Sequence, residues 1–174
     1  NPAMGYRGIR ISLDREELFK TQLKALFRAA MYGDLSVLYP MITSLEEVEA
    51  IREIVCDIRE EMDAKKIPYG KMRQGIMIET PAAVMISDLL AEKVDFFSIG
   101  TNDLTQYTMA ADRQNPRVSH LCSSRHPAVL RMIQMTVKNG HRKGIPVTIC
   151  GELAADREMT QKLIRMGVDA LSVS

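Results

Sequence analysis

Residues 96–107 read Phe96-Phe97-Ser98-Ile99-Gly100-Thr101-Asn102-Asp103-Leu104-Thr105-Gln106-Tyr107, an apolar run that ends in glycine and continues into a polar turn. An apolar strand followed directly by an amide and a carboxylate is typical of the C-terminal end of a strand in a parallel-sheet enzyme, where such groups face a ligand or metal. Alone, the segment also fits an ordinary turn in which Asn102 or Asp103 caps the next helix. The rest of the sequence is needed to choose between these interpretations.

The composition is that of a globular protein. The 174 residues are 46% hydrophobic and 26% charged, with a formal net charge of +1, which fits one domain with a sizeable core. Because Lys and Arg are interspersed with Asp and Glu, we expect no surface for nucleic acid or anionic membranes. No apolar run reaches the roughly 20 residues that span a bilayer, and no signal pattern opens the chain. We therefore expect a cytoplasmic protein without membrane insertion.

The number and spacing of the cysteines bear on disulfides and metal sites. The sequence has three cysteines, Cys56, Cys122 and Cys150, at wide spacings. An odd number at such spacings fits neither a disulfide framework nor a zinc site. We predict that all three are free thiols.

Segments with helical periodicity alternate with short apolar runs. Helices are predicted over residues 14–31, 44–62, 82–91, 126–143 and 157–166, the second of them opened by a capping box at Ser44 and Glu47. Strands are predicted at residues 35–39, 75–78, 96–99, 147–150 and 170–173, with a sixth, short strand at residues 8–11. Strands that are apolar throughout are buried on both faces, as in a parallel sheet covered by helices.

A small polar group follows most of the predicted strands. These groups are Pro40-Met41, Glu79-Thr80-Pro81, Thr101-Asn102-Asp103 and Gly151-Glu152-Leu153. Polar strand ends on one face are expected at the active-site face of a (β/α)₈ TIM-type barrel. A doubly wound open sheet is the alternative, because the same alternation builds either fold. Since a full barrel takes about 250 residues, we expect residues 1–174 to form a single, partial barrel domain that lacks the first strands and the last helices.

Two carboxylates are candidates for a metal site. Burying an unpaired carboxylate is costly, so we expect Glu79 at the mouth of its strand and not inside the protein. Asp103 arrives from the following strand, and the two could converge on Mg²⁺, which typically takes one or two protein carboxylates. The competing interpretation is that Glu79 pairs with an arginine or caps the helix that begins near Pro81.

Two arginines and one cysteine are candidates for substrate chemistry. Arg7 lies in a flexible Gly-Tyr-Arg-Gly turn, and Arg113 follows Asp103 by one short loop. Guanidinium groups bind phosphate and carboxylate bidentately, although most arginines are only solvated surface groups. Cys150 ends a strand, where it is either a small apolar residue or a proton donor to a carbanion or enolate, because a thiol is mostly protonated at neutral pH.

These residues stand in four ordered motifs, which are NPAMGYRGIR at residues 1–10, IETPAA at 78–83, FSIGTNDLTQY at 97–107 and CGELA at 150–154. Together the motifs closely resemble the C-terminal barrel of the phosphoenolpyruvate-utilising enzymes. Within that family the sequence is most similar to the phosphoenolpyruvate-protein phosphotransferases, Enzyme I of the bacterial sugar phosphotransferase system. The resemblance covers essentially the whole chain.

The resemblance implies roles for five of the candidate residues. Glu79 and Asp103 would hold Mg²⁺, and Asn102 with the backbone around it would contact phosphoenolpyruvate. Arg7 and Arg113 would bind the anionic groups of that substrate. Two further substrate arginines of the family belong to strands that would precede Asn1.

The resemblance also implies the reaction and its partners. Cys150 would protonate the enolate to give pyruvate, and the phosphoryl group would pass to a histidine on a separate N-terminal domain. No histidine of this chain has that role. The phosphohistidine domain would in turn serve the phosphocarrier protein HPr, and the intact protein is expected to be a homodimer.

Three other functions remain open at this point. One is a pyruvate phosphate dikinase or phosphoenolpyruvate synthase type of enzyme, which shares these motifs. Another is a silent binding or dimerisation barrel. The third is a lyase or aldolase barrel that uses the same metal carboxylates on a pyruvate enolate.

Overall fold

A computed structural model describes residues 2–173 of the chain. Asn1, which opens the first motif, and Ser174, at the end of the last apolar run, lie outside the described residues. Two 3₁₀ turns lie at Pro2–Met4 and Ser119–Leu121. The helices are α1 Ile9–Asp14, α2 Glu16–Ala29, α3 Leu45–Ala64, α4 Pro81–Met85, α5 Ser87–Leu90, α6 Thr101–Met109, α7 Pro127–Arg142, α8 Glu152–Ala155 and α9 Arg157–Arg165. The strands are β1 Leu35–Tyr39, β2 Met72–Ile78, β3 Phe96–Gly100, β4 Val147–Cys150 and β5 Ala170–Leu171.

The five strands form one sheet in the order β1-β2-β3-β4-β5, and every neighbouring pair is parallel. Each strand therefore lies beside the strand that follows it along the chain, with one or more helices in between. A doubly wound sheet would reverse its strand order at a switch point. Because the described strands run in one direction without reversal, the structure confirms the α/β barrel class over its alternative.

The sheet separates two chemically different faces. Successive residues of a strand point to opposite faces, and the fully buried Phe97, Ile99, Val147 and Ile149 lie on the helix-covered face. Helix α7 packs closely there because it has Gly140, where a Cβ would stand 2.5 Å from Val147 Cγ2. The alternate positions, such as Ser98 and Cys150, place polar groups on the other face.

Three predictions about the elements need correction. Residues 8–11 begin helix α1 and are not a strand, because Gly8 turns the chain at φ 59° and the Ile9 N–H donates to the Pro40 carbonyl at 3.1 Å. The predicted helix at residues 82–91 is two short helices that meet at Ile86. Strand β5 covers two of the four predicted residues.

Two other sequence predictions are confirmed. The capping box at Ser44 is present, with both reciprocal hydrogen bonds to Glu47. All three cysteines are free thiols. Within residues 2–173, none of the helices combines the length and the apolar character needed to cross a membrane.

Candidate active site

Glu79 follows strand β2 and is buried, with 3% of its surface exposed, so the expectation of an exposed carboxylate at the strand mouth is wrong. Its Oε1 accepts the Met41 N–H at 2.7 Å, which partly offsets the cost of burial. Burial raises the pKa of Glu79, and the neighbouring Asp103 carboxylate raises it further against the opposing effects of the Met41 N–H and Arg7. Glu79 does not cap the next helix, because Thr80 does so through the Ala83 N–H at 3.1 Å.

Asp103 lies in the first turn of helix α6, so the predicted polar turn is the start of a helix. Its Oδ2 pairs with Arg7 Nη2 at 3.1 Å, and Arg7 Nη1 donates to the Tyr107 hydroxyl at 3.2 Å. Tyr107 is four residues after Asp103, one helical turn on the same face. Its hydroxyl in turn donates to the Ala3 carbonyl, which ties the N-terminal segment to α6.

The structure brings three predicted substrate residues into one cavity. Arg7, Asp103 and Arg113 line a space of about 450 Å³ together with Gln106 and residues of the N-terminal segment. Gln106 fixes the loop that carries Arg113, because its Oε1 accepts the Arg113 N–H at 3.0 Å. Asp112 also lines this space. Two guanidinium groups and two carboxylates around one opening can bind an anion and a cation side by side.

Asn102 lines a neighbouring cavity of about 230 Å³, which Arg113 and Glu152 also line. Its Oδ1 accepts the Glu152 N–H at 3.1 Å and so joins α6 to α8. The side-chain NH₂ of Asn102 takes no part in that bond and can serve as a donor to a bound anion. The two cavities therefore share the Arg113 side chain.

Two glycines make room for these contacts. A Cβ on Gly100 would stand 2.8 Å from Glu79 Oε2. Gly151 has φ +94°, and a Cβ there would stand 2.7 Å from Thr101 Oγ1 and 3.0 Å from Asn102 Oδ1. Both positions therefore exclude other residues on steric grounds, and Gly151 also on backbone grounds.

Cys150 is partly buried beside the end of β3. Its sulfur accepts the Ser98 hydroxyl at 3.5 Å, and its S–H donates to the Ile99 carbonyl at 3.5 Å. The Cys150 carbonyl accepts the Thr101 hydroxyl at 2.9 Å, which fixes the backbone at this point. Cys150 does not line either of the two cavities that hold the arginines.

The carboxylates suit a hard cation. No group of three or more His, Cys, Asp or Glu within residues 2–173 could hold a metal ion. Glu79 and Asp103 supply two carboxylates, which is the usual protein share for Mg²⁺, the remaining positions being taken by water and substrate oxygens. The two residues therefore fit Mg²⁺ and do not fit a structural zinc site.

The sequence analysis assigned no role to four residues of this region. Met41 contributes a backbone N–H, Tyr107 contacts Arg7, and Ser98 and Thr101 contact Cys150. Tyr107 could have been found from its spacing to Asp103 on a helix. Ser98 was visible only as a polar residue within an apolar strand, and the sequence carries no signal for the Met41 N–H.

Comparison with known proteins identifies the family of the chain. The family described as "PEP-utilising enzyme, PEP-binding domain" matches residues 1–174. The chain belongs to this family of PEP-utilising enzymes. The chain is similar to phosphoenolpyruvate-protein phosphotransferases from three bacteria. Over the whole chain it is 46% identical to the protein of Buchnera aphidicola (strain APS), 45% identical to that of Listeria monocytogenes and 43% identical to that of Haemophilus influenzae. The chain spans about 30% of the length of these relatives.

Solved structures agree on the fold of this PEP-binding domain. A pyruvate kinase from Cryptosporidium parvum matches 89% of the chain and 30% of its own, with a TM-score of 0.63 at 15% identity. An HpcH/HpaI aldolase/citrate lyase family protein from Burkholderia cenocepacia matches 90% of the chain and 62% of its own, with a TM-score of 0.61 at 17% identity. At these identities the likeness concerns the fold alone.

Proposed function

We propose that residues 1–174 are a single, partial PEP-binding barrel domain of a cytoplasmic phosphoenolpyruvate-protein phosphotransferase. The reaction is Mg²⁺-dependent phosphoryl transfer from phosphoenolpyruvate to a histidine on an N-terminal domain of the same protein, with release of pyruvate. This is the first step of the sugar phosphotransferase system. The observation that carries the proposal is the convergence of Arg7, Asp103 and Arg113 on one cavity, with the buried Glu79 beside Asp103.

Residues of the cavities contact different groups of the substrate. Arg7 and Arg113 bind the phosphate and carboxylate of phosphoenolpyruvate, for which guanidinium is suited by its fixed charge and forked donors. Arg7 is paired with Asp103, so it exchanges that carboxylate for a substrate oxygen when the substrate binds. Asn102 donates its side-chain N–H groups to the same substrate.

Glu79 and Asp103 would hold Mg²⁺. When bound, that ion neutralises charge on the phosphoryl oxygens, which is the main chemical requirement of phosphoryl transfer. The Met41 N–H and the space left by Gly100 keep the Glu79 carboxylate in place for this role. Cys150 protonates the enolate that remains after transfer, which makes the departure of pyruvate irreversible.

We also propose the wider partners of the intact protein. The phosphohistidine domain passes its phosphoryl group to the phosphocarrier protein HPr, and the intact protein acts as a homodimer. The supporting observation is that 42–46% of the residues are identical across the whole chain to proteins named phosphoenolpyruvate-protein phosphotransferase.

The test uses the full-length protein and phosphoenolpyruvate labelled in its phosphate. We expect an acid-labile phosphohistidine and an equal amount of pyruvate, both lost when Mg²⁺ is chelated. Arg7→Gln should reduce the transfer by about 100-fold, because it removes a charge-assisted pair of hydrogen bonds from the substrate. The matched control is Arg73→Gln, since Arg73 pairs with the exposed Asp34 near the opposite ends of the strands.

The same assay separates the alternatives. Turnover that needs a nucleotide would indicate a pyruvate phosphate dikinase or phosphoenolpyruvate synthase type of enzyme. Turnover without labelled histidine would indicate a lyase or aldolase. Absence of Mg²⁺-dependent phosphoenolpyruvate binding would leave a silent binding or dimerisation barrel.

A further inference from the structure

Ser98 places a hydroxyl in a strand that is otherwise apolar. It is the third residue of β3 and has 5% of its surface exposed. A buried hydroxyl costs free energy unless it has a hydrogen-bond partner. Within the described part of the chain, the Ser98 hydroxyl donates to the Cys150 sulfur at 3.5 Å.

The Cys150 thiol has separate partners for its sulfur and its proton. The sulfur accepts from Ser98, whereas the S–H donates to the Ile99 carbonyl at 3.5 Å. When the proton leaves, the bond to Ile99 is lost but the Ser98 hydroxyl still donates to the sulfur. The remaining hydrogen bond then becomes charge-assisted, and such bonds are about twice as strong as neutral ones.

We propose that Ser98 is a positioning residue that orients the Cys150 thiol and stabilises the thiolate formed when the thiol gives up its proton. This inference rests on the proposed function. In the step concerned, the electron pair of the enolate C=C bond takes the proton from sulfur, so that a C–H bond of the pyruvate methyl group forms as the S–H bond breaks. The thiolate then takes a proton from water.

The chain offers a matched control for the Ser98 hydroxyl. Thr148 is the parallel-strand partner of Ser98 and lies two residues before Cys150. Its hydroxyl donates to the Phe97 carbonyl at 3.3 Å, whereas the hydrogen bonds of the Cys150 sulfur are to Ser98 and Ile99. Thr148→Val therefore removes a hydroxyl from the same neighbourhood without touching the thiol.

The experiment measures the rate of Cys150 alkylation by iodoacetamide across neutral and alkaline pH in the full-length protein, with mass spectrometry of the Cys150 peptide. Thiolate reacts and thiol does not. We expect Ser98→Ala to slow alkylation at neutral pH by about tenfold, because the thiolate loses its charge-assisted hydrogen bond. Thr148→Val should leave the profile unchanged.

A second pair of variants guards against a general packing effect. Ser98→Thr and Ser98→Val have nearly the same shape and differ in the hydroxyl. We expect the threonine variant to keep the original profile and the valine variant to follow Ser98→Ala. If the profiles of Ser98→Ala and Ser98→Val coincide with that of the unaltered protein, or if threonine and valine shift it equally, the inference is overturned.

Phosphohistidine and pyruvate are measured in the same variants. In Ser98→Ala we expect phosphohistidine formation to continue while pyruvate formation slows. No phosphohistidine in the unaltered protein would overturn the proposed function, and the alkylation profile would still report on the Ser98 contact. Normal phosphohistidine formation with an unaltered Ser98→Ala profile would overturn the role of Ser98 alone.

Discussion

Acidic side chains stand at both ends of the parallel sheet, and they have different surroundings. At the N-terminal end, Asp95 and Asp169 precede β3 and β5, and each carboxylate accepts a backbone N–H of the neighbouring strand, from Gln74 and Val147 respectively, at 2.7 Å. At the C-terminal end, Glu79 and Asp103 lie close enough to interact with each other, and Glu79 accepts the backbone N–H of Met41.

The difference follows from the direction of the strands. Parallel strands begin with backbone N–H groups that need acceptors, so a carboxylate at this end is satisfied by the sheet itself. Strands end with C=O groups, which cannot donate to a carboxylate. Acids at the C-terminal end must therefore be satisfied by the backbone of loops or helices, by arginine or by a cation, which is why this end suits ligand binding.

The largest expected effect comes from removing the charge of Asp103. Asp103→Asn should reduce Mg²⁺-dependent phosphoryl transfer by about 100-fold or more, because a neutral amide is a poorer ligand for a hard cation and pairs less well with Arg7. Transfer in the full-length protein is measured over a series of Mg²⁺ concentrations. Melting temperature should change little.

Asp95→Asn is the control at the other end of the sheet. It changes the same side chain in the same way but affects only a structural hydrogen bond, so activity should persist. An unchanged Mg²⁺ dependence in Asp103→Asn, or an equal loss in both variants, would contradict the contrast between the two ends.

The next largest expected effect comes from removing the Cys150 thiol. Cys150→Ala should slow pyruvate formation by about 100-fold, the usual contribution of a positioned general acid, and leave the affinity for Mg²⁺ unchanged. Stopped-flow detection of pyruvate and calorimetry of metal binding give the two values. Cys56→Ala is the control, because Cys56 is exposed on α3. A parallel loss of metal affinity in Cys150→Ala would mean that the thiol is a packing residue.

A side chain at Gly151, at the C-terminal end of the sheet, should lower the free energy of unfolding. Gly151→Ala should cost about 3 kcal/mol of unfolding free energy, because it adds a steric clash with Thr101 Oγ1 to the strain of a positive φ. Gly144 has φ +74° with nothing within 4 Å of a Cβ, so Gly144→Ala should cost only the backbone strain, about 1 kcal/mol. Urea unfolding gives both values, and equal costs would contradict the close approach at Gly151.

For the fold, the sequence predicts the strands of the sheet well and the long-range backbone contacts poorly. Apolar runs predicted all five strands because a parallel sheet buries both faces of each strand. The Ile9-Arg10-Ile11 run was assigned wrongly because three residues cannot distinguish a strand from a helix, and a backbone contact with Pro40 decided the matter. Such long-range backbone contacts leave no periodic signal.

For the site, the sequence indicated which side chains belong to it but not which groups those side chains contact. Polar residues after apolar strands identified Glu79 and Asp103, since strand ends in a parallel sheet meet at one edge. The burial of Glu79 was not foreseen, because the Met41 N–H that makes it tolerable comes from another loop. Asp95 and Asp169 gave no signal of their structural role, since both simply precede a strand.

The smallest expected effect tests whether Asp169 is purely structural. Although partial burial favours its neutral form, the Val147 N–H and His141 hold the pKa of Asp169 below its ordinary value. A lowered folded-state pKa contributes stability above the unfolded value of about 3.9, and that contribution is lost as pH falls through the folded-state pKa. Asp169→Asn should therefore lower the hydrogen-exchange protection of the Val147 amide at neutral pH, and the difference should close below about pH 4. Because the side chain is 42% exposed, the whole effect should stay under about 1 kcal/mol. A difference that persists undiminished in acid would mean that the bond to Val147 does not depend on the charge of Asp169.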